Sequence, residues 1–117
     1  MGERGQVHIK PSGVYLYTHW GADELISNVR DALAKKWRWN DQEYLTRIIF
    51  DVMKETDVTS ETGYGIGTKL HGDTKVLVEI NCENKTIKAI KYPNSKEYKK
   101  DLLKETSFTD FLKGDSK

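Results

Sequence analysis

Hydrophobic and polar positions along the chain fall into two periods. Residues 6–10 alternate, with Val7 and Ile9 on one side and His8 and Lys10 on the other, which is the pattern of a half-buried strand. Pro11-Ser12-Gly13 reads as a turn. Val14-Tyr15-Leu16-Tyr17-Thr18 then carries apolar or aromatic residues on both faces, Val14/Leu16 and Tyr15/Tyr17, and so predicts a strand inside the sheet. Past Gly21 the period lengthens. Leu25, Val29 and Leu33 recur every fourth residue with Ile26 and Ala32 beside them, predicting an amphipathic helix over 22–36. Asp23 and Glu24 in its first turn and Lys35 and Lys36 in its last match the helix dipole. A second helix is predicted over 41–55, with Asn40 as its cap, Glu43 completing a capping box, and Leu45, Ile48, Ile49, Val52 and Met53 as its buried stripe.

The second half returns to period two. Residues 56–62 are a polar loop, and TGYGIG follows with glycines at 63, 65 and 67, a spacing that weakens a strand and permits bends. Residues 68–70 begin a strand and His71-Gly72-Asp73 turns it. The clearest strand pair is 75–81 with 86–92, joined by the Cys82-Glu83-Asn84-Lys85 loop. Residues 96–106 are rich in lysine, anchored only by Leu102 and Leu103, and Ser107 caps a short helix bearing Phe108, Phe111 and Leu112. The order β-β-α-α-β-β-β and a final helix defines an α+β fold. It has a mainly antiparallel sheet of four to five strands, two α-helices packed on one face and a short C-terminal helix. One domain spans 6–112, with 1–5 and 113–117 as frayed ends.

Composition agrees with this picture. The 117 residues are one domain's worth. At 37% hydrophobic and 32% charged, the chain has much solvated surface, while three Trp, six Tyr and three Phe suffice for a core. No apolar run approaches the length of a membrane span. The net charge is +1, but residues 1–84 hold 10 basic and 13 acidic side chains, and residues 85–117 hold 9 basic and 5 acidic ones. The basic third is all lysine, interrupted by acids and lacking arginine, so it reads as a solvated surface and makes nucleic acid an improbable partner. A single cysteine, Cys82, and a polar start without a secretory core fit a cytoplasmic setting.

Three stretches hold candidate chemistry. In YLYTHWG, His19 and Trp20 stand between a strand end and a helix start, where His19 can carry a proton, donate to an anion or ligate a metal. The competing account makes Trp20 a core aromatic and His19 a lid on the strand. In TGYGIG, backbone N–H groups can approach an anion and Tyr64 is expected to be exposed, although neither the spacing nor the context is that of a dinucleotide or phosphate loop. The competing account is an edge strand or bulge. In WRW, Arg38 between Trp37 and Trp39 is able to stack on bases, but Trp39 also sits where a hydrophobic residue packs ahead of a helix cap, and packing is the reading preferred here. Metal, nucleophile-elbow and CxxC templates are absent, and no cofactor is expected. Cys82 beside Glu83 is a poor nucleophile, because the acid raises a thiol's pKa.

YLYTHWG, RWNDQEYLTRIIFDVM and TGYGIG, closed by SFTDFL, together resemble a family of small uncharacterised prokaryotic and phage-associated proteins. The likeness runs over about residues 14–112 and departs at Ala22, where a second glycine is commoner, and in the lysine-rich stretch. It implies a complete small domain and transfers no functional residue. The expected function is therefore a non-enzymatic binding or regulatory module. Its ligand- or partner-binding residues are Tyr17, His19, Trp20, Tyr64 and Gly65, and its target is a partner protein or a small anionic ligand. The alternative is a small hydrolytic or nucleotide-processing enzyme with His19 as general acid/base and Glu61 as its helper.

Overall fold

A computed structural model describes residues 3–55 and 62–113. The helper role given to Glu61, the loop up to that residue and the tail beyond Lys113 lie outside the described residues. Strands β1 (Gly5–Lys10) and β2 (Val14–Thr18) form a hairpin. A 3-10 turn (Ala22–Glu24) leads into α1 (Leu25–Ala34), and α2 is Gln42–Lys54. Then come β3 (Tyr64–Gly67), β4 (Val76–Asn81), β5 (Thr86–Lys91), β6 (Lys100–Ser107) and α3 (Phe108–Lys113).

The α+β class holds, but the sheet has six strands and is mixed, in the order β3-β2-β1-β4-β5-β6. Four pairings are antiparallel, while β1 and β4 run parallel with Val7 beside Val78 and Ile9 beside Ile80. That register puts the apolar residues of both strands on one face, which is why it is the stable one. The strand missing from the expectation is β6. It lies at the sheet edge and is mostly exposed, so its side chains show no alternation, and its charges protect an open edge. The glycine segment supplies β3 at 64–67, in place of a strand at 68–70.

The core is one layer of side chains between the sheet and the helices. Val7, Ile9, Leu16, Val78, Ile80 and Ile87 meet Leu25, Val29, Leu33, Leu45 and Ile49, all at most 1% exposed. Helix boundaries shift from expectation for local reasons. α1 proper ends at Ala34, and Lys36 turns left-handed at φ 59°, so Lys35 and Lys36 lie past the last turn. Asp41, rather than Asn40, caps α2: its carboxylate accepts from the backbone N–H groups of Glu43 (3.1 Å) and Tyr44 (3.3 Å). Trp39 packs as expected, its indole N–H donating to the Leu33 carbonyl at 3.2 Å and its ring edge-on to Phe108. Trp37 is exposed, and Arg38 lies over the Tyr44 ring rather than between the two tryptophans. Residues 3–5 are docked on the body: Ala22 N–H donates to the Glu3 carbonyl, Lys75 N–H donates to the Arg4 carbonyl, and Gly5 opens β1; residues 1–2 lie outside the described residues. Cys82 is buried, and burial pushes its thiol up. Asp41 adds to the rise and Lys85 opposes it, so the expected cause, Glu83, is not the one at work. No described helix is long and apolar enough to cross a membrane.

Candidate functional site

The helices cover one face of the sheet. The side chains that alternate with the core residues project to the opposite face, and there the strand register assembles two rows.

The first row runs Gly67, Tyr15, His8, Glu79, Lys88 across five adjacent strands. His8 and Tyr15 stack with ring centroids 4.1 Å apart and planes 6° from parallel. His8 Nδ1 lies 3.4 Å from Glu79 Oε2, and a carboxylate only accepts, so His8 is the donor. Lys10 and Lys88 reach Glu79 Oε1 at 3.7 and 3.4 Å. Burial pushes the Glu79 carboxyl up, but Lys10, the His8 hydrogen bond and Lys88 together outweigh it and hold it below the usual carboxylate range. Burial, with Glu79 nearby, raises the Tyr15 phenol.

The sign of this shift fixes a pH dependence. A carboxyl more acidic in the folded chain contributes stability above its unfolded pKa of about 4.3, and that contribution is lost as pH falls through the folded value. Glu79→Gln is expected to cost roughly 1–2 kcal/mol at neutral pH and to flatten the decline of stability below about pH 4.3. Urea unfolding at pH 7 and at acid pH checks this, and parallel profiles for the two proteins would refute it.

The second row runs Gly65, Tyr17, Gln6, Leu77, Ile90. Gln6 is only 1% exposed because the segment 68–75 folds back over it. Its amide donates to the Lys69 carbonyl (3.0 Å), and its carbonyl accepts from the His71 N–H (2.9 Å) and the Thr74 hydroxyl (2.6 Å). This clamp sets the His71 ring against Tyr17, centroids 4.9 Å apart. Tyr17 is then surrounded. Arg4 Nε lies 3.1 Å and His19 Nδ1 3.2 Å from its hydroxyl oxygen, and a second Arg4 nitrogen pairs with Asp73 at 2.7 Å. Arginine only donates, so the phenol oxygen accepts from Arg4, while the Tyr17 hydroxyl and His19 Nδ1 share one further hydrogen bond. His19 Nε2 is the ring nitrogen not engaged by Tyr17. Trp20, 61% exposed, stands edge-on to His19 at 4.5 Å.

Of the residues anticipated from sequence, Tyr17, His19, Trp20 and Gly65 gather at one end of the open face. The two anticipated stretches touch: His19 N–H donates to the Gly63 carbonyl at 2.8 Å, and a side chain on Gly63 would lie 3.1 Å from the Trp20 ring. Tyr64 is placed differently. It pairs with Thr18, faces the helices, meets Phe50 edge-on and is half-buried rather than exposed. Arg4, Gln6, His71 and Asp73 were not singled out from sequence, and no local pattern ties them to Tyr17. The alternation that turns Gln6 and His8 away from the core is the one signal present. A shallow cleft of about 410 Å³ adjoins the cluster, lined by Glu3, Asp73, Thr74, Lys75, Tyr92 and Asn94. Asn94 donates to the His71 carbonyl at 2.8 Å. Lys75 in this cleft is held by Glu3 and by Asp23 at 3.3 Å; the Glu3 hydrogen bond is the largest influence raising its pKa. Among the described residues no group of three or more His, Cys, Asp or Glu side chains is disposed to hold a metal ion.

No protein-family model, curated protein or solved structure matches this chain.

Proposed function

We propose that this domain is a binding module that takes a small anionic ligand at the Tyr17–His19–His71 end of the open sheet face. The observation that supports this most is the Tyr17 hydroxyl held between Arg4 Nε at 3.1 Å and His19 Nδ1 at 3.2 Å. That chain of bonds aligns His19 and leaves its Nε2 edge, the His71 ring and the exposed Trp20 indole as groups for a ligand. Asp73 neutralises Arg4, so directed hydrogen bonds, rather than net positive charge, select the anion. The adjoining cleft supplies room for the rest of the molecule.

Titration of the 15N-labelled protein with inorganic phosphate and with a nucleoside monophosphate tests the reading. Resonances of His19, Trp20 and His71 are expected to shift together. The double variant His19→Ala/His71→Ala should bind at least about tenfold more weakly, with Tm changed by no more than about 4 °C, as for surface substitutions. Shifts confined to other regions, or a Tm drop of ten degrees or more, would make these residues part of the packing instead.

The Tyr17–His19 hydrogen bond also supports a second reading, an enzyme in which the pair relays a proton. Tyr17→Phe separates the two: a module loses affinity because His19 is no longer aligned, whereas a relay keeps its substrate affinity and loses turnover.

A further inference from the structure

The three glycines at and just before β3 differ in a way that the fold does not account for. Gly63 needs to be glycine, since its φ is +106° and Trp20 lies against it. Gly65 and Gly67 do not. Neither has a positive φ, a side-chain carbon at Gly65 would meet Tyr17 no closer than 3.9 Å, and one at Gly67 would meet nothing within 4 Å. A strand glycine with room around it marks a bulge, a bend or a close approach by a ligand or another backbone, and the β2–β3 register runs without a bulge.

β3 is also the undefended edge of the sheet. β6, at the opposite edge, carries Lys100, Asp101, Lys104 and Glu105, whereas β3 reads Tyr64-Gly65-Ile66-Gly67 with no charge. Ile66 is 66% exposed there. The hydrogen-bond phase of the edge follows from one contact. Because His19 N–H donates to Gly63 O, residues 63, 65 and 67 turn their backbone groups towards β2. The N–H and C=O groups of Tyr64 and Ile66 therefore point away from the sheet, and among the described residues nothing pairs with them.

We infer that β3 is a homodimerisation edge, pairing antiparallel with β3 of a second copy about a two-fold axis at Gly65. In that register Tyr64 faces Ile66 of the second copy, and Ile66 faces its Tyr64. Each copy's two outward N–H and two outward C=O groups are then satisfied, giving four hydrogen bonds across the axis. Gly65 meets Gly65 in the close, non-hydrogen-bonded position, where side chains would crowd. Gly67 meets Gly63. Ile66, exposed in the single copy, covers the Tyr64 ring of its mate, an aromatic with β-branched pair of the kind that stabilises antiparallel strands. The contact is isologous, so it closes at two copies and does not propagate. A four-residue seam is small, so the dimer is weak and concentration-dependent. The two Tyr17–His19 clusters then share one continuous open face, but the inference stands on β3 alone and does not require the ligand reading.

Sedimentation velocity from about 10 µM to about 1 mM reads the association. The wild-type chain is expected to move from 13.5 kDa towards twice that mass. Ile66→Lys, at an exposed position, should weaken the association at least about tenfold by placing a charge on the edge. Gly65→Cys should form an intermolecular disulfide under mild oxidation, whereas Gly67→Cys, whose partner in the seam is Gly63, should form little. A wild-type chain monomeric at every concentration, or equal cross-linking of the two cysteine variants, would overturn the inference.

Discussion

Gln6→Ala is expected to lose on the order of 2–4 kcal/mol of stability and, with it, the arrangement around Tyr17. Gln6 is buried at 1% exposure and satisfies three groups of the segment above it: the Lys69 carbonyl, the His71 N–H and the Thr74 hydroxyl. Water can reach His71 once the segment loosens, but Thr74 is itself 3% exposed, so its hydroxyl is left without a partner in a dry place. The second effect is geometric. Residues 69–74 hold His71 against the Tyr17 ring and Asp73 on Arg4, and Gln6 is the side chain that ties them to the sheet. Two measurements follow. Urea unfolding should show the lowered stability, and amide exchange at His71 and Thr74 should accelerate well beyond the change in the β4–β5 hairpin. A stability loss below about 0.5 kcal/mol would mean that the clamp is held by backbone contacts alone.

Phe108→Ala is expected to cost more, roughly 3–5 kcal/mol, the range for a buried aromatic truncated to alanine. For a domain whose whole stability is on the order of 5–15 kcal/mol, that is a large share. Phe108 is 1% exposed and lies edge-on to Trp39 at 5.2 Å, and its backbone N–H donates to the Lys85 carbonyl at 2.8 Å. It joins α3 to the end of the β4–β5 hairpin and to the turn between α1 and α2, so its loss opens a cavity under three elements at once. Trp39 gives a direct readout. Its emission should shift to longer wavelength in the variant as solvent reaches the ring, while the exposed Trp20 and Trp37 contribute an unchanged background. A loss under about 1 kcal/mol would show that α3 repacks over the gap.

The sites of these predictions differ in how far the sequence disclosed them. Phe108 was visible as the head of a short apolar cluster after a capping serine. Gln6 was visible only as a polar position in an alternating strand, with nothing to show that a segment more than sixty residues later closes over it. Tyr17, His19 and Trp20 could be chosen as candidates because a strand end before a helix is where side chains emerge. Their partners Arg4 and His71 could not, since neither has a sequence relation to them. Tyr64 illustrates the limit of reading exposure from neighbours. Its place between two glycines predicts exposure, but strand parity turns it towards Phe50 and the helices, on the opposite side from Tyr17. The lysine-rich stretch illustrates the converse: β6 is a strand by its backbone bonds to β5 and not by any side-chain pattern.

From its sequence alone the chain determines its helices, its first hairpin, the β4–β5 pair and the residues that form the core. Each of these depends on side chains a few positions apart sharing one environment, and periodicity records that directly. Tertiary structure alone decided that β1 and β4 run side by side in parallel, that β3 and β6 are the two edges, and that the segment carrying His71 lies over Gln6 and Tyr17. Those outcomes depend on backbone hydrogen bonds and contacts between distant positions. A backbone donor is the same group at nearly every residue, so its choice of partner leaves no mark on the local order of amino acids.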